Sequence, residues 1–510
     1  MPTDPHHAGP RRGAPVQGAV DVLIVGAGPT GLALACDLAR RGVRTHVVEA
    51  GERLFGGSRG KSLQPRTQEV LDDLGVMEAI RADGGPFPPM QTWRSGRREG
   101  TWRLLEQDPG APASRYPEPW LVPQWRTQEI LRDRLLALGG TVEYGTRLTS
   151  LHQTDRHVLA ELTRADGSRR TLTVPYLVGC DGGHSTVRDS LGVTMKGEES
   201  DLHPAVVADV RVRGLDRDHW HIWLDDPDAR GVGSLLLCPL PGTDEFQLNA
   251  RADGEEHDLT PQAVRELIAT RTHLPADAVT DVLWYSYYQP RTALAERFRD
   301  GRVLLAGDAA HAHPPGGGQG LNISVQDAYN LGWKLGQVVR HHAPDALLDS
   351  YEAERRPAAA HVLELSSRLY RAGRSPEGGS EKARHRGRLT HLLSAHYRDS
   401  ALSTETRERL PDTAVRAGDR VPDLPCGTED GGSRRLLELL RGPHFTLLVV
   451  DRTPPPVPSA VVTLRVPAGA LAEALGAGLF LVRPDGHVGL AAQDPAHLDR
   501  YLVKVGLAKD

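Results

Sequence analysis

The sequence predicts an α/β fold of two or three domains, and three observations carry that prediction. A strand, a glycine-rich turn, a helix and a second strand open the ordered chain at Asp21. Short alternating apolar runs fill the region from about Val206 to Tyr288, the signature of a β-rich layer. A third group of strands begins near Gly418. At 510 residues the chain is too long for one ordinary core and long enough to enclose a large ligand.

The elements follow in order. Residues 1–20 carry two arginines with no apolar segment behind them, so they read as a disordered tail and not as a signal peptide. DVLIV is short and rich in β-branched residues, which predicts a buried strand. LALACDLARRG has helical spacing and stops at Gly42, and VRTHVVEA is the second strand. A helix between two strands makes them parallel. PRTQEVLDDLGV and WRTQEILRDRLLALGG predict short helices ending near glycines. Residues 84–120, rich in Pro, Gly, Trp and Arg, read as an excursion from the main domain. TVEYGTRLTSLHQT and HVLAELTRADGSRRTLTVPYLVGCDG predict antiparallel strands with an Asp-Gly turn. The β layer includes AVVADVRVRG, GSLLLCPLPG and DEFQLNARADG, with one helix in PQAVRELIATRT. SVQDAYNLGWKLGQVVR predicts a strongly amphipathic helix starting near Asn322, and residues 372–388 a polar linker or exposed loop. HFTLLVVD, SAVVTLRVP and GLFLVRPDGHVGLAA are strands of the last unit, the final pair turning at Asp485-Gly486.

Composition excludes several classes. Net charge is -5 with both signs mixed along the chain, so no basic stripe marks a nucleic-acid binder. Cys36, Cys180, Cys238 and Cys426 lie far apart and form no CxxC, which excludes a disulfide framework or a zinc finger and fits a reducing compartment. The apolar stretch Ala468–Val482 is broken by Glu473 and is too short for a bilayer. The expectation is a soluble cytoplasmic protein.

Three stretches carry chemistry. GAGPTG sets Gly26, Gly28 and Gly31 in the GxGxxG spacing, with Pro29 and Thr30 between. That spacing gives a tight turn, a close backbone approach to a pyrophosphate and a helix N-terminus facing the phosphates. Glu49 ends the next strand, where an acid binds both ribose hydroxyls of an adenosine and repels a 2′-phosphate. This is a Rossmann-like dinucleotide site, and FAD and NAD both remain. VGCDGGHSTVR puts Asp181 at a strand end, which alone reads as an ordinary Asp-Gly turn. GDAAHAHPPGGGQGLN follows the apolar run Val303–Ala306. Asp308 is placed to accept from a sugar or ribityl hydroxyl. The glycines admit a flat ring and a phosphate, and the following helix offers free N–H groups and a dipole that stabilises negative charge. His311 and His313 have no third ligand at a suitable spacing, so the reading is hydrogen bonding and no metal.

Together and in this order, the three motifs resemble the FAD-dependent aromatic hydroxylases, the single-component flavoprotein monooxygenases. The likeness runs from Asp21 to about Pro357, through SRGKSLQPRTQEVLDDLG, VPQWRTQEIL and NLGWKLG…LLDSYEAERRP. Residues 418–510 look like the thioredoxin-like domain of the larger members, without its CxxC. The branch that tailors polycyclic aromatic polyketides is the most similar, sharing YLVGCDGGHSTVR. The resemblance implies an FAD-binding domain from 21–83, 121–190 and 289–400, and an interleaved substrate domain from 84–120 and 191–288. It implies that NADPH or NADH binds transiently and reduces FAD. Reduced flavin then captures O2 as a C4a-hydroperoxide and hydroxylates an electron-rich polycyclic phenol. No indispensable catalytic side chain is expected, since the protein's part is to exclude water and position the ring.

Arg59 and Arg126 match family positions that contact FAD, Gln124 is a candidate neighbour of it, and the resemblance puts Arg59 and Pro315 near the flavin ring. Gly317, Gly318, Gly320, Leu321 and Asn322 complete the implied cofactor set. Trp93, Trp220, Trp223, Trp284, Tyr287 and Tyr288 are candidate walls for a flat substrate, although most aromatics in a β layer are core. Gly316, where a small side chain is commoner, and Ile323-Ser324-Val325 depart from the family pattern near the ring edge. The same fold and cofactor also serve Baeyer–Villiger oxygenation of a polyketide ketone or oxidative inactivation of an aromatic antibiotic. A flavin halogenase would show a WxWxIP signature, which is absent from the sequence. The expected assembly is a monomer or homodimer.

Overall fold

The computed structural model describes residues 20–104, 113–198, 204–224, 235–252, 259–372, 387–427 and 432–507. The tail 1–19 and residues 373–386 of the polar stretch lie outside the described residues.

Val22–Val25 is a strand buried at all four positions, as a run of β-branched residues in a covered parallel sheet must be. Its sheet has six strands in the order Arg299–Asp300, Val303–Leu305, Tyr176–Gly179, Val22–Val25, Thr45–Val48 and Val142–Glu143. All neighbours are parallel except the antiparallel edge strand Arg299–Asp300. Val25 pairs with Gly179, and Gly179 with Leu305. Three strands therefore end side by side, and GAGPTG, CDGG and GDAAH leave the sheet as neighbours. In open parallel sheets ligands bind beyond the carboxyl ends of the strands.

The second sheet runs Val279–Tyr288, Ala205–Val212, Phe246–Arg251, Leu235–Pro239, Trp220–Trp223, Met90–Arg94 and Arg97–Trp102. The excursion after Gly84 thus supplies its last two strands. Met195–Glu198 does not join it. That strand pairs with Thr292–Ala295, which in turn pairs with His311–Ala312. Gly197 lets that strand press on Thr292, where a Cβ would come 1.9 Å from the carbonyl oxygen, and among the described residues the β layer begins at Ala205. Helix Pro261–Arg271, capped by the Thr260 hydroxyl, covers one face of the layer. Val206, Ala208, Val210, Leu237 and Leu248 pack there against Val264 and Ile268. The opposite face looks toward the parallel-sheet domain, where Asp209 accepts the Ser58 amide at 2.8 Å.

The C-terminal unit is a mixed five-stranded sheet with Phe445–Val450 and Gly478–Val482 inside it, and Cys426 is its only cysteine. Thr404–Glu405 joins its edge beside Val488–Ala492, upstream of the expected start at Gly418. All four cysteines are buried and unpaired, and burial raises each thiol pKa, Cys36 to about 12 and Cys238 to about 11.

This unit is locked to the helix Gly320–His341. Trp333 of that helix is fully buried edge-on to Phe445 at 5.5 Å and donates to Asp485 at 3.0 Å. Around it Glu354 accepts from Arg483 at 2.7 and 2.8 Å and from Lys334 at 2.7 Å, all three fully buried. Burial lowers the Lys334 ammonium to about 8, and the Glu354 carboxyl is held well below the usual range by Arg483 and Lys334 against its own burial. Removing one partner of such a pair leaves the other charged and unpaired. Glu354→Ala should cost about 3–5 kcal/mol, read by chemical denaturation, with loss of cooperative unfolding between the C-terminal unit and the rest.

Candidate active site

Gly26 and Gly31 are fixed by the protein's own packing. A Cβ on Gly26 would come 2.3 Å from the Cys180 carbonyl oxygen, and one on Gly31 2.0 Å from that of Gly26. Gly28 differs: a Cβ there would meet nothing within 4 Å. No internal contact requires that glycine, and its bare backbone opens outward at the start of helix Pro29–Arg40. That helix has proline in its first turn and no side-chain cap, so its N–H groups stay available. Glu49 is half-buried beside them. It accepts from the Ala27 and Gly51 amides, each at 2.8 Å, which aims the carboxylate while leaving lone pairs for a diol.

The second stretch lies against the first. Thr30 Oγ1 sits 2.6 Å from where a Cβ on Gly307 would be, at a backbone φ of +64°. Asp308 is exposed and, among the described residues, has no hydrogen-bond partner. Pro315 and Gly318 are exposed, Gly316 is buried, and Gly317 turns its open side to Leu369 and Thr390. The helix begins at Gly320, two residues before the expected start, again without a side-chain cap. Gly320 lies against His313, and Leu321 against Gly60. Gln124 accepts the Gly60 amide at 2.8 Å. Arg59 is exposed between its loop and the β layer, 5.4 Å over the Phe55 ring and 3.4 Å from the Ser286 hydroxyl. Open backbone at one uncapped helix, an aimed carboxylate at Glu49, a free one at Asp308 and a bare glycine edge at a second uncapped helix fit an extended dinucleotide.

Other candidates already have partners within the chain. Arg126 gives its guanidinium to Asp83 at 2.9 Å and to Glu129, one turn along its helix, at 2.7 Å. Asp181 turns back on its own chain, accepting from Ser185 at 2.5 Å and the Val187 amide at 3.1 Å. Asn322 is fully buried and spent: it accepts the Gln64 amide at 2.7 Å and donates to Ser62 and Gly318 carbonyls at 2.8 and 2.7 Å. It pins the two loops together. His311 binds Asp327 at 2.6 Å, and Asp327 binds Arg355 at 2.8 Å. Burial lowers the neighbouring His313 to about 4.

The aromatic set divides by strand alternation. Trp93 and Trp223 stack at 5.9 Å in the core on the side of helix Pro261–Arg271, and Tyr287 pairs with Val206 on that same side. They are behind the wall and not part of it. Trp220, Trp284 and Tyr288 face the parallel-sheet domain. Trp284 meets Phe55 edge-on at 5.3 Å, Tyr288 donates to the His313 carbonyl at 3.0 Å, and the Trp220 ring carries the Lys61 ammonium at 4.6 Å.

Three residues at this face were not singled out in the sequence: Lys61, Asp209 and Gln247. Sheet register sets Asp209 and Gln247 side by side, and the loop before Ser62–Leu63 brings Lys61 onto them. Burial, with Glu245 adding to it, raises the Asp209 carboxyl to about 7. Between about pH 4 and 7 the folded chain keeps a proton there that the unfolded chain has shed. Stability from this group therefore falls as pH rises through that window and is lost above it. Asp209→Asn, which cannot ionise, should melt higher than the parent at pH 8 by more than at pH 5. Equal differences at the two pH values would remove the effect.

Residues 19–366 match the family described as the FAD binding domain, and residues 414–505 the one described as aromatic-ring hydroxylase, C-terminal. A flavin-dependent monooxygenase of Mycobacteroides abscessus is 41% identical over 95% of this chain and 99% of its own. The 12-dehydrotetracycline 5-monooxygenase/anhydrotetracycline 6-monooxygenase of Streptomyces rimosus is 35% identical over 92% of this chain and 94% of its own. The crystal structure of aklavinone-11 hydroxylase with FAD and aklavinone superposes with a TM-score of 0.81 at 30% identity, covering 95% of this chain and 98% of that one. No helix among the described residues is long and apolar enough to cross a membrane, and no cluster of three or more His, Cys, Asp or Glu among them is arranged to hold a metal ion. With strand ends, open glycine edge and both domains in agreement, the chain belongs to the FAD-dependent aromatic hydroxylases, which are flavoprotein monooxygenases.

Proposed function

We propose that the chain hydroxylates a polycyclic aromatic phenol of the polyketide type, using NADPH or NADH as electron donor and O2 as co-substrate. The observation that carries this reading is the row of three strand ends facing a β layer whose near side presents Trp220, Trp284 and Tyr288. Relatives named for anhydrotetracycline and for aklavinone support the substrate class.

The open backbone at Gly28 and the N-terminus of helix Pro29–Arg40 hold the diphosphate of FAD. Glu49 takes the ribose hydroxyls, and Asp308 a hydroxyl of the ribityl chain. Pro315, Gly318 and the start of helix Gly320–His341 face the ring, and the dipole there favours negative charge on it. Bound FAD supplies electron transfer from the nicotinamide and activation of oxygen for insertion into the ring. Gln124 and Leu321 fix the Gly60 turn, which keeps Arg59 at the gap between loop and sheet. The aromatic wall removes water from the space where the ring is oxidised and offers flat surfaces to a flat ligand.

Consumption of NADPH and oxygen by the FAD-loaded protein, with and without a panel of polycyclic phenols, tests the reading. Ligand-stimulated turnover with one oxygen atom gained by the product is expected, and product fragmentation separates ring hydroxylation from lactone formation. A yellow protein that no phenol stimulates overturns it. Asp308→Ala loses a charge-assisted hydrogen bond and should weaken FAD binding by roughly tenfold or more, with activity falling in parallel. Unchanged flavin retention on a desalting column would remove Asp308 from the site.

A further inference from the structure

Lys61 stands two residues beyond Arg59 and next to the Gly60 turn, so it lies on the loop that borders the ring end of the site. Its side chain crosses onto the near face of the β layer. The ammonium donates to Gln247 Oε1 and lies 4.6 Å over the Trp220 ring. Gln247 cannot turn its amide, because its Nε2 donates to the Ser58 carbonyl, so an oxygen always faces Lys61. Gln247 is the only hydrogen-bond acceptor the ammonium has among the described residues. Two of its three N–H groups are left without one, and burial lowers its pKa.

The surrounding charges do not neutralise it. Asp209 is nearby and 1% exposed, its Oδ2 takes the Ser58 amide at 2.8 Å, and its Oδ1 is buried with no partner. Burial holds that carboxyl up to about 7, so it is only partly ionised at neutral pH. Cys238, on the adjoining strand, is a buried thiol pushed to about 11 by burial. Glu245 acts on Asp209, and Arg217 on Cys238 and Glu245. A half-buried cation with two donors that no described residue takes favours an anionic oxygen from outside the chain.

We propose that Lys61 is a substrate-binding residue that holds an ionised phenol or enol oxygen of the polycyclic substrate, with Gln247 and Trp220 as its positioning residues. This rests on the proposed function and adds to it the charge state in which the substrate is taken. The phenolate is the electron-rich form of the ring, and an adjacent ammonium lowers the pKa of the bound hydroxyl.

The test uses the full-length, FAD-loaded protein and two dyes, alizarin and its dimethyl ether. Alizarin reports its own ionisation by a red-shifted visible band, and the ether cannot ionise. The parent should bind alizarin with the band of the ionised form and hold it roughly tenfold tighter than the ether. Lys61→Met should lose the band and roughly tenfold of alizarin affinity while binding the ether as the parent does, and Lys61→Arg should keep the band. Should Lys61→Met fail to fold, Lys61→Gln carries the same comparison. A neutral variant that binds alizarin with parental affinity and band overturns the assignment and leaves the proposed function standing. A parent protein that takes up neither dye overturns the polycyclic substrate class, and the assignment with it.

Discussion

Glu354, Arg483, Lys334 and Asp485 meet with their side chains buried from the surface. Each charge there is tolerable only because the others are present. Lys334, Asn330 and Trp333 reach this cluster from the helix whose first residue, Gly320, borders the site. A second grip lies close by. Arg66 donates to the Asp485 carbonyl and to Glu69, and Glu69 is held by Arg420. Arg66 and Glu69 belong to helix Pro65–Asp73, which follows the loop of Arg59 and Lys61. The C-terminal unit therefore holds, from behind, both segments that meet at the ring end. A thioredoxin-like domain without a dithiol acts here as a brace.

Between those two segments Asn322 is the linking side chain, and its three hydrogen bonds leave no freedom in the spacing of Ser62, Gln64 and Gly318. The two uncapped helix ends differ in their surroundings. The one at Pro29 opens beside the Glu49 carboxylate, which the Ala27 and Gly51 amides hold. The one at Gly320 has no carboxylate in its first turn, and buried histidines below it.

The sequence made the parallel sheet legible because GAGPTG, Glu49 and the apolar strands are local patterns, and the helices at Pro65, Gln124 and Pro261 carry their own start and stop signals. Alternation also disclosed the β layer. What alternation lacks is phase. WHIW reads as a strand either way round, and only pairing with Leu235–Pro239 and Met90–Arg94 sets Trp223 behind the sheet and Trp220 in front. The Arg126 pairing was hidden for a related reason: its partner Asp83 is 43 residues away, and no spacing announces it. Asp209 and Gln247 come from distant strands with no motif in either, and Lys61, although inside SRGKSLQPRTQEVLDDLG, has no spacing that announces them as its neighbours.

The cysteines are the remaining feature with chemical reach. An oxygenase that fails to couple its two substrates releases hydrogen peroxide, and the species that peroxide attacks is the thiolate. Each thiol here is sealed from solvent and its ionisation suppressed. Burial and suppressed ionisation make these thiols poor targets for that peroxide.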